Sequence, residues 1–145
     1  ILTQFLKKYK NLKIGITTGC FDLFHSGHLK SLKYAKKRCD ILILLLNSDN
    51  SIKLLKGNER PINNLFYRKE LLKELNIIDI ITIFDTKDAN PILEKLHFNI
   101  LFKGGDYDIK KLNDQFPEVN IILSKYEKGI SSSSIINKVS NIMNK

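Results

Sequence analysis

Ile14-Gly15-Ile16-Thr17-Thr18-Gly19-Cys20-Phe21-Asp22-Leu23-Phe24-His25-Ser26-Gly27-His28 begins as a short β-branched run and ends on two imidazoles ahead of an amphipathic stretch. Ile14–Thr18 reads as a strand and Gly27–Lys37 as a helix. That helix sets Leu29, Leu32 and Ala35 roughly on one side and Lys30, Lys33 and Lys37 on the other. A strand running through a glycine loop into a helix is half of a β-α-β unit, so the neighbouring segments decide whether the unit repeats.

They show that it does. Ile41–Leu46, Ile80–Phe84, Ile100–Phe102 and Asn120–Leu123 also read as strands. All are nearly continuous apolar runs, the pattern of a parallel sheet covered on both faces. Helical patterns at Leu65–Leu75 and Pro91–Leu96, a short one at Ile109–Phe116, and a last one from Ser132 onward lie between and after them. The predicted fold is α/β: a doubly wound, Rossmann-like parallel sheet of five strands with helices on both faces. Such sheets bind ligands beyond the carboxyl ends of their strands, where strand order reverses. The loops after Thr18, Leu46, Phe102 and Leu123 are therefore where function is expected.

Composition sets outer bounds. The 145 residues carry 24 Lys+Arg against 15 Asp+Glu, a net charge of +9, and 43% are hydrophobic. This fits one domain over 1–145, with residues 1–12 expected as a leftover helix or linker. The start at Ile1 rather than Met suggests an excised or trimmed piece of a longer protein. No run is long and apolar enough to span a bilayer, and nothing at the start has the form of a secretory signal. Two cysteines are too few for a disulfide framework and suit a reducing cytoplasm. Residues 1–40 hold nine bases and two acids, so +7 of the charge surrounds the first strand and helix, and the rest of the chain carries +2. A basic field there favours anions. A nucleic-acid-binding module would show aromatic platforms or arginine stripes, yet only Arg38, Arg60 and Arg68 are arginines.

His25 and His28, three residues apart at a helix start, can point one way. The free amides and positive dipole of that helix end make a phosphate seat, and imidazole N–H groups can follow charge developing on a phosphoryl oxygen. A lone histidine is more often a satisfied structural group. A zinc site from Cys20, His25 and His28 lacks a further Cys/His pair at ligand spacing. The loop is neither a P-loop nor a dinucleotide fingerprint. Lys56, in a segment expected to be flexible, could swing onto a triphosphate, with Lys53 as companion. Arg60 and Arg68 could grip phosphate bidentately, or Arg68 could pair along its own helix. Gly104-Gly105 lets backbone approach a ligand, and Asp106 could accept from a ribose or base, hold a metal, or simply cap a helix. Ser131, Ser132 and Ser133 sit where a helix should begin, so hydroxyls and amides there could bind phosphates.

Gly19-Cys20-Phe21-Asp22 followed by His25-Ser26-Gly27-His28 resembles the signature of the cytidylyltransferase-like nucleotidyltransferases. Gly129-Ile130-Ser131-Ser132-Ser133-Ser134-Ile135-Ile136 resembles the second signature of that group, so the likeness spans nearly the whole chain. Asn47-Ser48-Asp49, Leu55-Lys56-Gly57, Arg60-Pro61-Ile62-Asn63, Arg68 and Lys103-Gly104-Gly105-Asp106-Tyr107 are similar to the adenylyltransferase domain that makes ADP-heptose. Glycerol-3-phosphate cytidylyltransferases, the alternative, tend to carry an Arg shortly before the second signature. Here Tyr126-Glu127-Lys128 stands instead, with Lys125 or Lys128 able to supply similar charge.

The resemblance implies a nucleotidyltransferase acting on ATP and D-glycero-β-D-manno-heptose 1-phosphate for the lipopolysaccharide core. It implies Mg²⁺ with the triphosphate and no protein-held metal, nucleic acid or membrane partner. It also implies a homodimer, often fused behind or working with a sugar kinase. Its expected catalytic groups are His25, His28 and Lys56. Gly19, Cys20, Phe21, Gly27, Gly105, Asp106, Tyr126, Ile130 and Ser131 to Ser133 are expected at the nucleotide, and Asp22, Arg60, Arg68 and Lys53 at the substrate phosphate.

Overall fold

The computed structural model describes residues 1–105, 107–124 and 130–145. Along the chain these form α1 (Leu2–Lys8), β1 (Ile14–Gly19), α2 (Ser26–Lys36), β2 (Ile41–Asn47), α3 (Asp49–Lys56) and α4 (Leu65–Glu74). They continue as β3 (Ile80–Phe84), α5 (Asn90–Leu93), β4 (Ile100–Gly104), α6 (Ile109–Gln115), β5 (Asn120–Ser124) and α7 (Ser132–Met143). Every predicted strand is present, and β1, β2, β4 and β5 run one or two residues further toward their carboxyl ends than the apolar runs alone indicated.

The strands form one parallel sheet in the order β3-β2-β1-β4-β5. β2, an interior strand beside central β1, carries the most apolar run, and Leu42 to Leu46 are wholly buried. Side chains alternate between two cores. Leu32 and Ala35 of α2 and Leu72 of α4 pack with Leu42, Leu44, Ile100 and Phe102 on one face. Leu6 of α1, Leu93 of α5 and Leu112 of α6 pack with Ile16, Ile43, Leu45 and Leu101 on the other. The chain therefore steps from β1 out to β3 with helices on one face, then returns to β4 and β5 with helices on the opposite face. That reversal opens a crevice between the carboxyl ends of β1 and β4.

Residues 1–12, expected as a leftover helix or linker, contribute α1, and Leu6 is 1% exposed within the core. One segment differs from expectation. The segment containing Lys56, expected to be flexible, is helix α3. Its start, Ser48-Asp49-Asn50-Ser51, has poor intrinsic helix propensity, which hid the helix in the sequence. The fold supplies what propensity lacks. The Ser48 hydroxyl accepts from the Ser51 amide (3.0 Å), Ser51 donates to the Thr86 carbonyl (2.6 Å), and Ile52 is buried.

Candidate active site

β1 ends in a turn that needs Gly19. Phe21 adopts a left-handed φ of 48°, and its ring folds back so that a Cβ on Gly19 would lie 2.7 Å from Phe21 Cε2. This turn delivers His25 to the N-cap of α2. There the Gly27 and His28 amides donate to His25 Nδ1 (3.1 and 3.4 Å), while the His25 amide donates to His28 Nδ1 (3.3 Å). The result is a capping box built from two histidines. Both Nδ1 atoms serve as acceptors, so the hydrogen-bond pattern assigns the proton of each neutral ring to Nε2. Each imidazole then presents an N–H away from the helix backbone.

The rings stack with centroids 3.8 Å apart, and Phe21 and Phe24 lie 4.9 and 5.5 Å from His28. Burial, reinforced by the charges of His25 and Lys56, pushes the His28 pKa down to about 4. His28 is therefore a neutral hydrogen-bond donor at pH 7. Gly27 is tight against this arrangement, since a Cβ there would lie 3.0 Å from both Cε1 and Nδ1 of His25.

His25, His28, Gly27 and Lys56 line a cleft of about 1,320 Å³ across the sheet's carboxyl edge, as do Gly19, Cys20 and Phe21 and, from α7 and the segment before it, Ile130 and Ser132. Burial raises the Cys20 thiol pKa, against the pull of Lys56 and Arg68, so the thiol stays protonated. Lys56 closes α3 and is exposed; Lys53, one turn earlier on the same helix, is exposed but does not line the cleft. Gly105, at φ 94°, takes the left-handed conformation that glycine adopts without strain. Asp106, Lys125, Tyr126, Lys128 and Gly129 lie outside the described residues.

The serine run divides its tasks. Ser131 caps α7, accepting from the Ser134 amide (3.0 Å), while Ser134 Oγ accepts from the Ser131 amide (2.9 Å). Ser132 donates to the Leu23 carbonyl (3.4 Å), tying the start of α7 to the first loop, and Ser133 is exposed. The Ser131 hydroxyl oxygen thus serves the helix as an acceptor, which leaves its O–H to donate. What the run offers an anion is the first-turn amides and the hydroxyl donors beside them.

Two expected phosphate contacts belong instead to the scaffold. Arg68 is 2% exposed, and its guanidinium makes four hydrogen bonds. They reach the carbonyls of Asn63 (3.0 Å), Cys20 (2.8 Å) and Asn47 (2.8 Å) and the Asp49 carboxylate (2.7 Å). A guanidinium so engaged does not reach a substrate phosphate; it clamps three loops together. Asp22, also 2% exposed, accepts from Arg60 Nε (2.8 Å) and from the amides of Ile62 (2.9 Å) and Asn63 (2.8 Å). Burial works to raise its pKa, but these bonds outweigh that and hold it below the ordinary carboxylate value. Its charge is directed at the 60–63 segment, and it would repel a phosphate. Arg60 thus gives its Nε to Asp22, while its Nη2 is buried with no partner among the described residues.

Lys103 opens the Lys103–Tyr107 string of the resemblance but received no role of its own in the sequence reading. It follows the apolar run of β4, is 6% exposed, and lines the same cleft. A lysine closing a strand buried on both faces was the available signal. Among the described residues no three His, Cys, Asp or Glu side chains come together as a metal-ligand set.

A family model described as cytidylyltransferase-like matches residues 16–138, which contain both histidines, the α3–α4 segment and the serine run. The chain belongs to the cytidylyltransferase-like family. It is accordingly a nucleotidyltransferase. It is 41% identical over 134 residues to the bifunctional protein HldE of Campylobacter jejuni subsp. doylei, a match covering 92% of this chain and 29% of that protein. It is 40% identical over 138 residues to the bifunctional protein HldE of Helicobacter pylori, covering 95% and 30%. The chain spans less than a third of the length of these curated relatives. Among solved structures, a lipopolysaccharide core biosynthesis protein from Thermoplasma volcanium superposes with a TM-score of 0.67 at 24% identity, covering 81% of this chain and 98% of that one. That likeness concerns the fold.

Proposed function

We propose that this domain joins a sugar phosphate to the α-phosphate of ATP with release of pyrophosphate, and that the sugar phosphate is D-glycero-β-D-manno-heptose 1-phosphate, giving ADP-heptose. The observation that carries the transfer chemistry is the histidine capping box, which occupies both Nδ1 atoms and so puts the ring protons on Nε2 at a helix N-terminus. The choice of ATP and heptose is supported by about 40% identity to HldE proteins over nine-tenths of the chain.

In this reading an oxygen of the sugar phosphate attacks the α-phosphorus, forming a new P–O bond. The bond from that phosphorus to the α–β bridging oxygen breaks, and its electron pair leaves with pyrophosphate. The nucleophile is already an anion, so no side chain has to remove a proton. Positioning and charge stabilisation supply the rate. His25 and His28 donate to the α-phosphate oxygens, Lys56 meets the departing pyrophosphate, and the first-turn amides of α7 hold its oxygens. Mg²⁺ would enter bound to the triphosphate and supply counter-charge to it, while Lys56 and the first-turn amides of α7 would hold the phosphates that carry the ion.

We further propose a homodimer acting in the cytoplasm, beside a sugar kinase carried on the same longer protein or on a separate one. The cytoplasmic reading is supported by the two free cysteines. The deciding experiment measures pyrophosphate release with ATP and with CTP against a panel of sugar and polyol phosphates. Turnover is expected with ATP and the heptose phosphate. Strict dependence on CTP, with glycerol 3-phosphate as the best acceptor, would replace this reading with a cytidylyltransferase.

A further inference from the structure

Asp22 is a carboxylate in the lining of a cleft that gathers two histidines and a lysine, and it is 2% exposed. A buried negative charge is costly to desolvate, and in this place it opposes an anionic ligand. What it holds in return is the chain just after α3.

The placement of Lys56 depends on that hold. Residues 53–59, seven in a row, are exposed, and a Cβ on Gly57 (φ 98°) would meet nothing within 4 Å. Among the described residues none of these side chains enters either core, so the run is fixed from its two ends. At the amino end Ile52 is buried and Asp49 pairs with Arg68 (2.7 Å). At the carboxyl end the Gly57 amide donates to the Lys53 carbonyl (2.9 Å) and the Arg60 amide to the Gly57 carbonyl (3.2 Å). Arg60 Nε and the Ile62 and Asn63 amides then meet on the Asp22 carboxylate, and the Asn63 side chain donates to the Asp22 carbonyl (2.8 Å). A continuous series of bonds thus runs from the residue after Lys56 to Asp22, which stands three positions before His25. The Lys56 charge is felt at both Cys20 and His28, so its ammonium is within electrostatic reach of the histidine loop.

We propose that Asp22 is a positioning residue for the transfer: by holding Arg60, Ile62 and Asn63 it fixes where the chain returns after α3, and so sets Lys56 at its working distance from His25 and His28. This rests on the nucleotidyl-transfer reading, in which Lys56 meets the departing pyrophosphate. Asp22 itself touches no reacting atom. A carboxylate suits the task because its two oxygens accept from three donors on three residues, whereas asparagine offers one oxygen.

A double-mutant cycle tests it. kcat is measured by pyrophosphate release for wild type, Asp22→Asn, Lys56→Ala and the double variant, each below its melting temperature. Lys56→Ala is expected to lower kcat at least about a hundredfold, as for loss of a donor to developing charge. Asp22→Asn is expected to lower it roughly 10–100-fold, the range for displacing a catalytic group by about an ångström. In the Lys56→Ala background the same change should alter kcat less than about threefold, because no ammonium remains to be misplaced. Its effect on melting temperature should be equal in both backgrounds, since the same scaffold bonds are lost in each. A purely structural Asp22 would carry its kinetic loss equally into both backgrounds, and that result overturns the positioning role while leaving the transfer reading intact. Near-normal kcat in folded Asp22→Asn or in Lys56→Ala does the same. If Asp22→Asn does not fold, Arg60→Met takes its place in the cycle: it removes the Nε donor, leaves two amides on the carboxylate, and should show the same non-additivity. Wild-type protein that releases no pyrophosphate with any nucleotide–acceptor pair overturns both.

Discussion

Replacing Arg68 with methionine removes the clamp beneath the candidate site while keeping most of its volume. The lost bonds leave three carbonyls, those of Cys20, Asn47 and Asn63, without the donor they meet in the native fold. An abandoned buried acceptor costs about 1–3 kcal/mol, but these three share one cavity with a flexible replacement that allows some relaxation. Asp49 is 39% exposed, so water takes over its ion pair at little cost. The expected total is ~3–5 kcal/mol, the range found when one partner of a buried charged network is deleted. For a domain whose whole stability is roughly 5–15 kcal/mol, this is a large share. With a urea m-value of ~2 kcal/mol/M, the unfolding midpoint should fall by roughly 2 M. A lysine in its place would keep a charge but reach only part of the span, so Arg68→Lys should recover less than half of the loss. A midpoint shift below about 0.5 M for Arg68→Met, with an unchanged slope, would refute the claim that this side chain holds the loops together.

Three shorter expectations follow from the histidine pair. His28→Ala should lower turnover by at least about a hundredfold with the melting temperature largely kept, as for loss of a donor to a developing phosphoryl charge; near-normal turnover in a folded variant removes His28 from the mechanism. Because the native His28 pKa lies near 4 and the unfolded one near 6.5, the unfolded chain takes up a proton first as pH falls. Stability is therefore fully present above pH 6.5 and declines toward pH 4, by ~1–2 kcal/mol after allowing for solvent screening of a partly exposed ring. His28→Asn, which can still accept from the His25 amide, should flatten that decline in urea titrations at stepped pH. Gly27→Ala should leave the helix as stable as before but press on the His25 ring, lowering kcat roughly tenfold; an unchanged kcat would mean the ring is not held to close tolerance.

The sheet was legible because its cause is local. Five apolar runs without alternation fit strands covered on both faces, and their spacing admits helices between them. Helix α3 was not legible, since Ser48-Asp49-Asn50-Ser51 disfavours helix until the Thr86 carbonyl and the buried Ile52 stabilise it. The histidines were found by their spacing, and the structure added which ring nitrogen donates.

The arginines mark the boundary most clearly. Type and position in the sequence suited Arg68 to a phosphate site as well as to a scaffold, because the same charge serves either, and the resemblance alone placed Asp22 beside it. Only tertiary structure decided between them, by bringing the Cys20, Asn47 and Asn63 carbonyls around one guanidinium and the Ile62 and Asn63 amides onto one carboxylate. Lys103 shows the converse. In sequence it was the first residue of a glycine-containing string, with no role assigned to it; in the fold it is a buried side chain with one hydroxyl partner among the described residues. Periodicity and loop chemistry act over a few residues and can be read directly. Whether a charge is already paired depends on chain segments tens of residues away, which meet only when the sheet closes.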